Sequence, residues 1–253
     1  MSHKSIKKKN VIITGCNKGI GRATLEDFAK CGANIFACVR SNTKNFKSLV
    51  SQLKKKYKVK IYIVQLDLSN NSSILKCANE INRITRKIDV VVNNAGMLFN
   101  SLFLMTSEKQ LREIFQVNYL SQIYFTQIIS KAMIRNKSGN IIFVSSTSGI
   151  NGDYGRFAYS STKAAIINTA KTLSKELSSY NIRVNSISPG LTDTDLMKHN
   201  TKENIIQEEV SKISLKRIAS VKEIAKTILF LASEDSSYIN GQNIIIDGGY
   251  LWN

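Results

Sequence analysis

Val11-Ile12-Ile13-Thr14-Gly15-Cys16-Asn17-Lys18-Gly19-Ile20-Gly21 decides the fold. Four β-branched residues suited to a strand run into a turn with glycines at 15, 19 and 21, and helical spacing then carries from Ile20 to Cys31. Glycine lets a backbone approach a pyrophosphate, and a helix N-terminus offers it unpaired N–H groups and a favourable dipole. The spacing is G-x-x-x-G-x-G rather than the commoner G-x-G-x-x-G, and alone it would also suit an ordinary tight turn.

Outward from that turn, short runs rich in Val and Ile alternate with helical patterns. The strand candidates are Val11 to Thr14, Asn34 to Val39, Lys60 to Leu66, Val90 to Val92, Asn140 to Val144, Ile182 to Ile187 and Asn243 to Ile246. Such runs fit strands buried on both faces. Helical spacing marks Ile20 to Cys31, Ser72 to Arg86, Ser107 to Ile134, Tyr159 to Ser179 and Val221 to Ala232. The alternation predicts an α/β fold, Rossmann-type and doubly wound, with a seven-stranded parallel sheet and helices on both faces. No repeat, low-complexity tract or linker divides the chain, so residues 1–253 are expected to form one domain. A polar, helix-prone insertion at about 193–220 is expected to cover the carboxyl edge of the sheet, where ligands bind in this architecture.

Composition narrows the function. No run approaches the ~20 apolar residues of a membrane helix, and the apolar stretch after the basic Met1 to Asn10 is too short for a signal-peptide core. A cytoplasmic protein without a membrane partner is expected. Cys16, Cys31, Cys38 and Cys77 form no Cys-x-x-Cys pair and have no histidine at metal-ligand spacing, so they read as reduced thiols and no metal site is expected. The net charge of +18 is spread over several helices, densest at Lys7 to Lys9 and Lys54 to Lys56. No zinc-finger, helix-turn-helix or aromatic-stacking signature accompanies it. A solvated basic surface is the reading; a face evolved to attract anions is the alternative, and nucleic acid is not an expected partner.

The chemistry gathers after the fifth strand, which ends at Ser145-Ser146 and is followed by Tyr159-x-x-x-Lys163. Residues four apart share a helix face. A free tyrosine, with pKa about 10, is a poor acid near neutrality. A lysine one turn away would favour phenolate and bring that value down. Ser146 is placed to hydrogen-bond a carbonyl oxygen as charge grows on it. At the end of the second strand an acid would accept from a ribose 2′-hydroxyl, whereas an arginine accommodates a 2′-phosphate. The chain has Arg40 and Ser41 there, with no acid nearby in sequence, and Lys18 lies in the glycine turn. NADP(H) is therefore expected over NAD(H).

With Asn93-Asn94-Ala95-Gly96 after the fourth strand, Asn118 in a long helix and Pro189-Gly190, these motifs resemble the short-chain dehydrogenase/reductases from Val11 to about Gly249. Within that family the chain looks most like the bacterial 3-oxoacyl-acyl-carrier-protein reductases. The resemblance implies a catalytic set of Asn118, Ser146, Tyr159 and Lys163, with Asn118 holding a water that passes protons toward Lys163. It implies a cofactor cradled by Gly15, Asn17, Lys18, Gly19, Ile20 and Gly21, with Arg40 and Ser41 at the ribose. Asp67 and Leu68 would border the adenine, and Asn94, Ala95 and Gly96 would back the cofactor. Pro189, Gly190, Thr192 and Thr194 would meet the nicotinamide, and Tyr159 and Lys163 its ribose. A homotetramer built on the helices around Glu108 to Ile134 and Tyr159 to Ser179 is implied too. Of two basic positions that dock an acyl carrier protein, one aligns with Lys137 and the other with Tyr180, which lacks the charge. Cys16 and Leu215-Lys216-Arg217-Ile218 depart from the family pattern, and Arg156, three residues before the tyrosine, reads as a surface cation, with reach to a carboxylate or phosphate as the alternative.

The expected function is an NADPH-dependent ketoreductase with Tyr159 as general acid. Its substrate would be a small-molecule or acyl-carrier-linked ketone, 3-oxoacyl thioesters among them. A reductase or dehydrogenase of a sugar, polyol or other small alcohol is the alternative. A non-catalytic dinucleotide-binding regulator is a further one, and its mark would be loss of Tyr159, Lys163 or Ser146. All three residues are present.

Overall fold

Seven parallel strands carry the protein: β1 (Asn10–Thr14), β2 (Asn34–Val39), β3 (Ile61–Gln65), β4 (Val90–Asn93), β5 (Gly139–Val144), β6 (Ile182–Pro189) and β7 (Asn243–Ile246). The structure, a computed structural model, describes residues 3–200 and 203–250. The strand order is β3-β2-β1-β4-β5-β6-β7, so the chain changes direction across the sheet between β1 and β4. Doubly wound sheets open a crevice at such a point, beyond the carboxyl ends of the strands.

Strand side chains alternate between faces, and both faces here are apolar. Val11 and Ile13 join one core with Leu25 and Phe28 of α1 (Gly19–Lys30), Val50 of α2 (Lys44–Tyr57) and Ile224 of α10 (Val221–Ala232). Ile12 faces the other way, with Ile74 of α3 (Asn71–Ile84), Phe125 of α5 (Ser121–Asn136) and Ile166 of α7 (Phe157–Leu177). The two-sided burial explains why Val and Ile dominate most strands, while β6 carries Asn185, Ser186 and Ser188, which are satisfied by hydrogen bonds to Ile239 O and Asn243 Oδ1.

The expected strands match to within a residue or two at their ends, and the helices differ more. α2 lies where no helix was expected. Thr43 caps it, accepting from Phe46 N at 3.2 Å, and it ends at Lys58 in the left-handed region at φ 54°. Ser107 to Ile134 is not one helix. α4 (Glu108–Phe115) opens with a capping box between Ser107 and Gln110, a π-type turn spans Gln116–Leu120, and α5 follows. The 193–220 insertion holds two helices, α8 (Asp195–Asn200) and α9 (Glu203–Lys212), and a short α6 (Ser148–Asn151) precedes α7.

Candidate active site

The site residues expected from sequence all lie at or just beyond the carboxyl ends of β1 to β6, or on the helices that follow. At the end of β1 the glycine turn is closed by Thr14 and Asn94. Thr14 Oγ1 accepts from the backbone N–H groups of Asn94 and Ala95, both at 2.9 Å, and Asn94 Nδ2 donates to Thr14 O at 2.8 Å. Gly15 has φ +76°, and a Cβ on Gly21 would collide with Gly15 O and stand 2.5 Å from Asn94 Nδ2. Only glycine fits there. Lys18 holds the N-cap position of α1 and makes no side-chain cap bond, so the first N–H groups of that helix remain available to an anion. Asn17 Nδ2 donates to Ser41 O at 2.9 Å, joining the turn to the end of β2. Its Oδ1 is buried without a partner among the described residues.

Two residues of the expected cofactor set, Ile20 and Leu68, also pack on the core. Leu68 buries its side chain there while its carbonyl accepts from Ser121 Oγ at 2.5 Å. Leu68 can offer the crevice only its backbone, whereas Ile20 is partly exposed. Arg40 is exposed, and the lack of a nearby acid along the chain does not hold in space. Hydrogen bonds from Ser69 hold the Asp67 carboxyl below its usual value, and the Arg40 guanidinium adds to that shift. Beyond β6, Thr192 Oγ1 donates to Gly190 O at 2.9 Å, and Pro189 O accepts from Thr147 N at 3.1 Å. Thr194 accepts from Met197 N at 3.1 Å and lies against Gly19, where a Cβ would meet its Cγ2 at 3.5 Å. The first helix of the cover thus starts beside the glycine turn.

Asn118 sits in the π-type turn, fully buried. Its Oδ1 accepts from Met97 N at 2.8 Å, and its Nδ2 donates to Met97 O at 2.8 Å and to Thr162 Oγ1 at 3.4 Å. Both amide donors are committed. Insertions of one residue into a helical turn recur at functional sites; here the turn aims Asn118 at the loop after β4. A Cβ on Gly96 would stand 3.2 Å from Asn118 Oδ1 and 3.7 Å from Lys163 Nζ, so the two side chains close around a bare backbone.

Tyr159 and Lys163 share a face of α7, with Nζ 5.6 Å from the Tyr159 ring centre. The expected electrostatics do not follow. Lys163 is buried, its Nζ donates to Val144 O at 2.9 Å, and burial pulls its pKa down to about 8. Burial pushes the Tyr159 phenol up instead, opposed by a hydrogen bond with Ser146 and by the Arg156 cation, while Asp153 adds to the rise. The reason is desolvation, which disfavours charge on both groups of the pair. Tyr159 accordingly keeps its proton and is ready to give it.

Cys16 is fully buried, donates weakly to Ile13 O at 3.1 Å and is pushed up by burial, which makes it an inert thiol. The described residues hold no group of three or more His, Cys, Asp or Glu able to bind a metal. No described helix is long and apolar enough to cross a membrane. Thr14, Met97 and Thr162 were absent from the expected site. Thr14, a hydroxyl closing an apolar strand before the glycine turn, carried a signal; Met97 acts through its backbone and carried none.

The crevice, the glycine turn and the Ser-Tyr-Lys cluster define an oxidoreductase built on a dinucleotide fold. The family model described as enoyl-(acyl carrier protein) reductase matches residues 15–251, and the chain belongs to the short-chain dehydrogenase/reductase family. It is 36% identical over 244 residues to the 3-oxoacyl-[acyl-carrier-protein] reductase of Aquifex aeolicus, covering 96% of this chain and 98% of the relative. To the reductase of the same description from Thermotoga maritima it is 37% identical over 247 residues, covering 97% and 99%. A candidate NAD(P)-dependent gluconate 5-dehydrogenase from Beutenbergia cavernae, solved with NADP bound at low occupancy, superposes with a TM-score of 0.89 at 25% identity and full coverage of both chains. An NADPH-dependent reductase involved in bacilysin biosynthesis superposes with a TM-score of 0.90 at 26% identity, covering 96% and 98%.

Proposed function

We propose that the chain acts as one domain, an NADPH-dependent ketoreductase that reduces 3-oxoacyl thioesters, with Tyr159 as general acid and residues 193–220 as the substrate cover. The observation that carries this is the pair on α7: Tyr159 with Lys163 Nζ 5.6 Å from its ring centre, Nζ being anchored at the end of β5 just before Ser146. The glycine cradle, the uncapped start of α1 and the unpartnered Asn17 Oδ1 fit a dinucleotide pyrophosphate and its ribose. Exposed Arg40 and Lys18 suit a 2′-phosphate, and both structural relatives are described with NADP or NADPH.

When bound, the cofactor supplies the hydride. Tyr159 gives its proton to the oxygen of the reacting carbonyl, and Ser146 hydrogen-bonds that oxygen as negative charge develops. Lys163, still largely cationic at neutral pH, then steadies the phenolate left behind. Asn118 fixes the loop after β4 that would back the nicotinamide. Leu120 and Tyr124, exposed around the start of α5, support a homotetramer through the central helices, and four buried free cysteines suit the cytoplasm.

The likeness to a candidate gluconate 5-dehydrogenase favours a second reading, a keto-sugar or polyol substrate. The test is a panel of 3-oxoacyl thioesters, keto-sugars and alcohols, followed by absorbance with NADPH and NADH in both directions. The highest kcat/KM is expected for a 3-oxoacyl thioester with NADPH. A keto-sugar in that place would reassign the substrate, and no turnover of any ketone would overturn the enzyme reading.

A further inference from the structure

A hydroxyl carries one proton, which can point to only one acceptor at a time. Ser148 Oγ donates that proton to Asp153 Oδ2 at 2.5 Å, the length of a charge-assisted bond to a carboxylate. Toward Ser146 it can then only accept, and Ser146 Oγ donates to it at 3.1 Å while accepting from Ser148 N at 3.2 Å. The chain therefore has one direction, from Ser146 through Ser148 to the Asp153 carboxylate. Asp153 is held in turn: its N–H donates to Ser160 Oγ at 3.3 Å, and Arg156 Nη1 lies 3.3 Å from Oδ2. Arg156 Nε also donates to Asn100 Oδ1 at 2.9 Å, and Asn100 Nδ2 donates to Asn200 O at 2.7 Å, at the end of cover helix α8. Glu209 of α9 lies within the field of the same guanidinium.

We propose that Asp153 is a positioning residue: through Ser148 it sets the direction in which the Ser146 hydroxyl donates, and through Arg156 and Asn100 it is tied to the substrate cover. The proposal rests on the ketoreductase reading. In the resting site the Ser146 proton is parked on a neutral hydroxyl, a modest acceptor. An oxygen gaining negative charge beside Ser146 is a better one, so the proton turns to it as the reaction proceeds, and the interaction strengthens in the transition state. Without the carboxylate, the Ser148 proton is free to point at Ser146, and that order is lost.

The test uses Ser148→Ala, Asp153→Asn and the double variant, each checked for its unfolding midpoint and NADPH affinity. Both single variants are expected to lose about tenfold in kcat, the worth of one aligned hydrogen bond, with the KM for NADPH unchanged. The double variant should be no slower than Ser148→Ala, because the two act as a unit. Ser148→Thr, which restores the hydroxyl, should recover turnover. An independent reading comes from tyrosine ring-carbon NMR, with the Tyr159 resonance assigned by its loss in Tyr159→Phe. The charged groups facing that phenol are Lys163 on its own helix and Arg156 and Asp153 on the preceding loop. Ser148→Ala changes none of them, yet it frees Ser146 to donate to the phenolate, so the Tyr159 titration should move down in pH. An unmoved titration, or a moved one with kcat unchanged, would overturn the proposal. If the wild-type protein reduces no ketone, the enzyme reading fails and the titration alone decides whether the chain orders Ser146.

Discussion

Lys163 carries a charge that the fold has partly stripped of water, and that cost can be measured. Its ammonium loses its proton near pH 8 in the folded protein, against 10.5 for an ordinary lysine. Between those values the unfolded chain binds more protons than the native one, so this group makes stability rise with pH there. Below about pH 8 both states are protonated and the full cost of the buried charge remains. Each pKa unit is worth about 1.4 kcal/mol, so the cost is of order 3 kcal/mol. Lys163→Met should therefore be inactive yet more stable than wild type at pH 7 without cofactor. That advantage should shrink as pH rises from 8 toward 10.5, and urea unfolding at both ends of the window checks it. A variant no more stable at pH 7 would show that the bond to Val144 O outweighs the desolvation. The other residue-scale prediction concerns Arg40, exposed at the end of β2. Arg40→Asp replaces a cation with an anion that repels a 2′-phosphate and joins Asp67 in doing so, so the ratio of kcat/KM values should reverse toward NADH. A wild-type protein that already prefers NADH would remove Arg40 from cofactor selection.

The π-type turn is the element on which the site depends most. Asn118 satisfies both backbone groups of Met97 from within it. Asn118→Ala leaves those groups unpaired, and since Met97 is only partly buried the loss should lie near the lower end of the usual range, about 2 kcal/mol. Denaturant unfolding checks the stability, and faster hydrogen exchange at the Met97 amide would place the damage in the loop. Normal exchange there would mean that water replaces the side chain. No sequence pattern announces this turn, because a shift of the hydrogen bonding by one residue uses the same residue types as an α-helix, and Ser107 to Ile134 accordingly reads as continuous. The missed α2 is a different case. Phe46, Val50 and Leu53 do carry helical spacing, but lysines so crowd the segment that its apolar face is narrow. The strands were legible because burial on both faces leaves most of them rich in Val and Ile. The glycines and the Tyr159–Lys163 pair were legible because their spacing is local. Ser148 and Asp153 were not, since their roles come from a loop folding back on itself and no local spacing ties either of them to Ser146.

At the scale of the molecule, the question is what a charge of +18 is for. An acyl carrier protein is acidic, and a reductase that takes its substrate from one benefits from a cationic approach, since summed fields raise encounter rates without any specific pair. Of the two positions the family resemblance gives to docking, Lys137 keeps its charge and Tyr180 does not. Lys137 ends α5 in the left-handed region, at φ 48°. Lys137→Glu keeps a Cβ and the same backbone demand, so it changes charge without changing strain. Turnover of a 3-oxoacyl carrier protein should exceed that of its short thioester analogue at low salt. The advantage should fall severalfold at about 1 M salt, where screening reaches only about 3 Å. Lys137→Glu should lower kcat/KM for the carrier substrate and leave the short thioester nearly untouched, because only the carrier reaches that surface. If the advantage shrinks with salt and survives Lys137→Glu, docking is steered by the whole field, and the lost cation at Tyr180 is compensated by number rather than by position. If both substrates turn over equally at every salt concentration, the charge serves no carrier, and the small ketone becomes the substrate of this site.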